Sequence, residues 1–207
     1  MWHIILKNKM YCVKARTAAL LFVAGLKRRF LSSSSALSHV DLAGKVVQVD
    51  VSTKAIAVRR AEAACRVDLP RDVFDLLKRN KLKKGDVLST ARVAGIQASK
   101  QTALLIPLCH AINLEHSQLF QQVTLSLDDQ LSCVNITSAV TCTGKTGVEM
   151  EALTACSVAA LCIYDMCKAI SQDIRVQNLR LLVKTGGQTD FRRVEADETI
   201  TPQGDLI

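Results

Sequence analysis

The chain has 207 residues, 49% of them hydrophobic, enough to bury the core of one substantial domain. Of its formal charge of +8, +7 lies in the first 40 residues, which hold seven Lys or Arg and no acid; residues 41–207 hold 20 basic and 19 acidic residues, a balance of +1, which excludes a nucleic-acid footprint spread over the domain. The eight cysteines include no CxxC and the four histidines no HxxxH, so the spacings indicate no metal site, and scattered cysteines beside ample core signals speak against a disulfide scaffold and for a reducing compartment.

Residues 1–36 are acid-free, rich in Lys and Arg, and end in the serine run Ser32 to Ser35. That is the composition of a mitochondrial transit peptide, with cleavage expected near the serines and the matrix as destination. A secretory signal built on Ala18 to Leu26 is disfavoured by Lys27, Arg28 and Arg29 directly after it, and the apolar run is too short to span a bilayer. The folded domain is therefore expected over residues 37–193.

Val46–Val51 and Ala55–Val67 alternate apolar and polar residues and read as half-buried strands. Pro70 opens a short helix, RDVFDLLKRN, and KLKKGD from Lys81 to Asp86 reads as a basic loop. Leu88 to Leu105 is a second helix signal that tolerates Gly95 and ends before Pro107. Leu119–Leu127 and Leu131–Val140 form a hairpin pattern around Asp128 and Asp129, and Val176 to Lys184 is a last strand. The remainder reads as a glycine turn and a polar tail, residues 194–207. Mixed helices and neighbouring strands make the class α+β, an antiparallel sheet packed against helices.

The segment CTGKTGVEMEALTACSVAALCIYDMCK, Cys142 to Lys168, is the most informative. Glycines around Lys145 and Thr146 lead into a long helix signal with Glu149 and Glu151 in its first turn, where carboxylates are favoured. No charge appears from Ala152 to Tyr164, as in a helix buried on most sides. Asp165 and Lys168 follow, and helical geometry aligns Glu151, Thr154, Leu161, Asp165 and Lys168 in one stripe. The stripe is either a surface pair with dipole-complementing glutamates or the lining of a pocket. The glycines are not a P-loop, because Ala139 stands where its first glycine belongs.

TGKTGVEMEALTA with SVAAL and IYDMCKA resembles the MoaC family of molybdenum cofactor biosynthesis. KGDVLSTARVAGIQASK (Lys84 to Lys100), LIPLCH (Leu105 to His110) and KTGGQTDF (Lys184 to Phe191) carry the same resemblance in the family's order, which extends from about Leu37 to Arg193. It implies a ferredoxin-like arrangement and a pyrophosphate-releasing lyase, cyclic pyranopterin monophosphate synthase. The implied substrate is (8S)-3',8-cyclo-7,8-dihydroguanosine 5'-triphosphate, a cyclised GTP supplied by a radical SAM iron–sulfur GTP 3',8-cyclase. No cofactor, nucleic acid or membrane is implied.

Position by position, the resemblance assigns catalysis to Asp165, Lys168 and Lys84, and substrate contact to Leu108, Cys109, His110, Glu149, Met150 and Glu151. Arg59 and Lys184 match basic positions expected near phosphate. Ala111 departs from the proline that bacterial members carry after the histidine. Read alone, His110 is a core histidine, Lys84 a solvated loop lysine, and Arg59 beside Arg60 a strand residue. An ammonium near a carboxylate is pushed up in pKa and burial pushes it down, so the residues by themselves leave acid and base unassigned.

Glu151 and Asp165 are 14 residues apart, about 21 Å along a helix, too far for one small pocket on a single helix. Two antiparallel copies across a twofold axis would bring opposite ends together, with Ala152, Ala155, Ser157, Ala159 and Ala160 permitting close packing. The resemblance likewise implies a homohexamer, a trimer of dimers with sites at the dimer interface. Chains altered at Lys84 and at Asp165 are expected to complement each other.

Overall fold

The computed structural model describes residues 48–112 and 120–194. The leader over residues 1–36, the onset of the domain at 37 and the tail beyond 194 lie outside the described residues.

Strand β1 (Ala57–Asp68) runs into Pro70, whose fixed φ suits a helix start, and helix α1 (Arg71–Lys78) follows. Asp86 then caps helix α2 (Val87–Lys100), its carboxylate accepting from the Ser89 amide at 3.0 Å and the Ser89 hydroxyl at 2.6 Å. Just before the cap, Gly85 sits at φ +90, a conformation that glycine adopts without strain, and it turns the basic loop into the helix. A break at Gln101 separates α2 from one turn of helix, α3 (Thr102–Leu105), so the expected single helix from Leu88 to Leu105 is two.

Strands β2 (Phe120–Asp128) and β3 (Cys133–Gly144) form the expected hairpin, with β3 running four residues further than its pattern suggested. Helix α4 (Glu149–Cys167) leads to β4 (Arg175–Thr185). Phe191 and Arg192 form a short β5 on β4, where a turn and frayed tail were expected. Residues 48–51 lie outside any strand; β1 starts only at Ala57.

The five strands pair antiparallel in the order β2-β3-β1-β4-β5. The first four, with α2 and α4 between them in sequence, make the split β-α-β pattern of ferredoxin-like folds. Alternation fills the core. Ala61, Ala63, Cys65 and Val67 of β1 and Val134, Ile136, Ser138, Val140 and Cys142 of β3 are buried, with α4 packed on both strands. Arg60, Thr124 and Thr137 are exposed on the opposite face.

Helix α4 has a mean hydropathy of 1.4, but half of its apolar window is buried inside the protein; it is a core helix. Its alanines Ala152, Ala155, Ala159 and Ala160 are at most 1% exposed and belong to this chain's own core. They are not free to pack a second copy, contrary to the expectation from their size. Cys156 and Cys167 are likewise buried free thiols, behaving as small hydrophobes.

Helix α2 approaches α4 so closely at Gly95 that a Cβ there would meet the Ala155 carbonyl oxygen at 2.8 Å and the Ala159 methyl at 3.3 Å. Helix propensity alone would make Gly95→Ala stabilising by about 1 kcal/mol. The clash with an unyielding backbone reverses the sign, and Gly95→Ala is expected to cost about 1–3 kcal/mol. The denaturant midpoint of the variant measures this; an unchanged or raised midpoint would mean the helices can part freely.

Candidate active site

The loop from Lys81 to Asp86 delivers Lys84 to the C-terminal end of α4. Its ammonium donates to the Asp165 carboxylate at 2.9 Å and to the Asp165 carbonyl at 2.8 Å. Lys168, one turn beyond Asp165, meets the other carboxylate oxygen at 2.8 Å. One anion is thus gripped between two cations, of which Lys84 lies 81 residues before it in the chain. The Lys168 and Lys84 ammoniums hold the Asp165 carboxyl well below the usual carboxylate range, at about 2. The Lys168 pKa is raised, because its bond to Asp165 outweighs a small loss of hydration. The competition left open by the sequence therefore goes to the charge partner at Lys168. At neutral pH Asp165 is an anion and Lys168 an acid holding its proton, a pair able to donate a proton to a leaving or ring oxygen.

A second group stands at the other end of α4. Glu151 is 2% exposed, against 58% for the Asp165 side chain, so the aligned stripe passes from core to solvent rather than lining one pocket. Burial pushes the Glu151 carboxyl up. Its Oε1 accepts from the Cys109 thiol at 3.6 Å, while Oε2 is buried with no hydrogen-bond partner among the described residues. The Cys109 thiol is itself pushed up to about 12 by burial and by Glu151, so it stays a weak donor. Glu151 also floors a cleft of about 230 Å³ bounded by Ser99 to Leu104, Ala111 and Ile112.

Around this group, Lys184 of β4 lies 3.6 Å from the Glu149 carboxylate. His110 Nε2 is 2.8 Å from the Val49 carbonyl. Leu108 and Met150 are half-buried, on the loop after α3 and in the first turn of α4. Arg59 points its guanidinium at three main-chain carbonyls, those of Gly144 and Lys145 at 3.3 Å each and that of Gly186. It clamps β1, the entry to α4 and the turn after β4 together. The sequence marks Lys145 only as part of a glycine-rich cluster. It donates to the Ser52 carbonyl at 2.5 Å, a contact with no local sequence signal because its acceptor is main chain.

The expected residues thus fall into two sets. Lys84, Asp165 and Lys168 meet at one end of α4. Cys109, His110, Glu149, Glu151, Arg59 and Lys184 gather toward the other, about 21 Å along the helix. Lys84 joins Asp165 within one chain, so chains altered at these two positions lose the same cluster and cannot complement each other.

The sequence profile described as the MoaC family matches residues 48–187. The chain is 51% identical over 158 residues to a protein of Arabidopsis thaliana named cyclic pyranopterin monophosphate synthase, mitochondrial, covering 76% of this chain and 57% of the relative. It is 48% identical over 161 residues to the cyclic pyranopterin monophosphate synthase of Chloroflexus aggregans, covering 77% of this chain and 95% of that one. It is also 48% identical over 162 residues to molybdenum cofactor biosynthesis protein 1 of Homo sapiens, covering 78% of this chain and 25% of the human protein. The chain therefore spans little more than half of the plant relative and a quarter of the human one.

Because burial raises the Glu151 pKa, the folded protein holds that proton more tightly than the unfolded chain does. The associated stability is full below the unfolded carboxyl range and is lost as pH rises through the raised value. Glu151→Gln removes this loss. Its Tm relative to the unaltered protein should climb as pH rises from the unfolded carboxyl range through the raised value. Paired thermal scans across that range measure the effect, and a flat difference would show that Glu151 ionises alike in both states.

Proposed function

The chain belongs to the MoaC family, and on that premise we propose that it is a cyclic pyranopterin monophosphate synthase. The substrate is the cyclised GTP made by a radical SAM iron–sulfur cyclase, and the reaction rearranges it, closes a cyclic phosphate and releases pyrophosphate. The observation that carries this reading is the Lys84–Asp165–Lys168 cluster, assembled from distant segments at the positions that the resemblance singles out. Ring opening and closure need proton donors and acceptors, and a triphosphate needs fixed cations. Lys168 and Lys84 supply charge and protons beside an Asp165 that stays anionic. Glu151 offers in its Oε2 a buried acceptor with no partner among the described residues, in reach of a ligand's N–H groups. Leu108 to His110, Glu149 and Met150 line that end, with Lys184 and Arg59 as its basic groups.

Each site combines the two ends of α4 from two chains in this reading, within a homohexamer built as a trimer of dimers. The face of α4 turned away from the core runs through Met150, Ser157, Leu161, Asp165 and Lys168, and Leu161 is 60% exposed at its middle. That face, rather than the alanine face, would pair across the twofold axis. The working compartment is the mitochondrial matrix, reached through the basic leader. N-terminal sequencing of the mature chain should find a start near Ser32 to Ser35, and a chain beginning at Met1 would refute import with cleavage.

Purified protein given the cyclised GTP should release pyrophosphate, and Asp165→Asn should lower turnover by about 100-fold or more while leaving the fold intact. Binding without pyrophosphate release would instead mark a non-catalytic subunit. Inactive Asp165→Asn and His110→Ala chains, dissociated and reassembled together, should recover about a quarter of full activity, since half the random dimers carry one intact site of two. Lys84→Ala mixed with Asp165→Asn should stay inactive. Two inactive mixtures would place each site within one chain.

A further inference from the structure

Ahead of β1, residues 48–54 form a short strap. Asp50 closes it, accepting from the Ser52 amide at 2.8 Å and the Ser52 hydroxyl at 3.0 Å, and the Lys54 amide donates to the Val51 carbonyl at 3.1 Å. These bonds lower the Asp50 pKa, so the carboxylate that ties the turn is ionised at neutral pH. The strap is pinned to the site at two places, both through its main chain. Its Ser52 carbonyl accepts from Lys145, which enters α4, and its Val49 carbonyl lies 2.8 Å from His110 Nε2.

A carbonyl oxygen has lone pairs and no proton, so the hydrogen of the second contact sits on His110 Nε2. In the neutral ring that leaves Nδ1 as the bare, accepting nitrogen. The acceptor opposite a histidine nitrogen thus decides which nitrogen faces the reaction, as it does for metal-ligating histidines.

We propose that the strap is a positioning element for His110. The Val49 carbonyl holds the ring in its Nε2–H form and fixes its rotation, so that Nδ1 is presented to substrate as an acceptor. Asp50 is the positioning residue that keeps this carbonyl in place, acting without touching substrate. No local pattern marks the role, because the working atom is a backbone oxygen and its side chain is incidental. The kinetic part rests on the reading that His110 meets the cyclised GTP; the tautomer part does not.

The test uses full-length protein with 15N-labelled histidine, His110→Gln serving to assign the ring signals. A hydrogen-bonded ring proton exchanges slowly enough to be observed, so the unaltered protein should show a protected Nε2 proton and an unprotonated Nδ1 at neutral pH. Asp50→Ala should abolish the protected proton and lower kcat about 10-fold, with KM changing less. Asp50→Asn keeps an acceptor oxygen for the Ser52 amide and should restore both. A His110 ring protonated on Nδ1 instead, a protected proton that survives Asp50→Ala, or its loss with kcat unchanged would each overturn the proposal. If the unaltered protein does not turn over the cyclised GTP, the functional reading fails, while the ring proton still decides whether the strap sets the tautomer.

Discussion

Where α2 crosses α4, two backbones touch. Gly95 lies against the Ala155 carbonyl, with Ala159 beside it, and nothing larger than hydrogen fits between. Helices normally stay about 8–10 Å apart because side chains fill the gap; small residues on both sides remove that spacing and lock one helix against the other. The register of this contact decides what meets at each end of α4. It sets the start of α2, with the Lys84 loop before it, beside the last turn of α4. It also sets the end of α2, from Ser99 to Lys100, beside Glu151 in the first turn. One close approach therefore assembles both charged groups.

The two ends then differ electrostatically for physical reasons that can be named. A carboxylate near a helix C-terminus opposes the dipole, and Asp165 is tolerated there because Lys84 and Lys168 both neutralise it. Their grip drives its pKa down to about 2. Glu151 has the favourable end of the dipole but sits in the core, and burial outweighs its backbone and thiol hydrogen bonds, so its pKa rises. Two carboxylates on one helix are thus pushed in opposite directions, the usual way in which one fold separates a fixed charge from a group able to exchange protons.

Arg59 gives the Glu151 end its rigidity. By donating to carbonyls of Gly144, Lys145 and Gly186, it joins the central strand to the entry of α4 and to the turn after β4. Lys145, whose own carbonyl is held by Arg59, in turn holds the strap that reaches His110. The end of the site poorest in side-chain partners is accordingly tied together through main-chain oxygens.

The class and most elements were legible because they rest on local rules. Alternation marked β1 and the β2–β3 hairpin, Pro70 marked the start of α1, and the uncharged run after Glu151 marked α4 as a core helix. The quoted motifs also placed the chain in its family, since they record residue identity at fixed spacing. Extent was less legible. The break at Gln101, the added β5 and the lack of a strand over residues 48–56 follow from pairing and packing partners that no window of sequence contains. Residue size did not tell which contact the alanines of α4 make, because alanine suits a contact with the chain's own sheet as well as one with a second copy. What only the tertiary structure decided is which charges meet. Lys84 reaches Asp165 across 81 residues, Arg59 and His110 find main-chain carbonyls, and the sign of each pKa shift follows from those partners and their burial. Sequence carries the charge of each side chain, but its surroundings, which set the energy of that charge, exist only once the chain has folded.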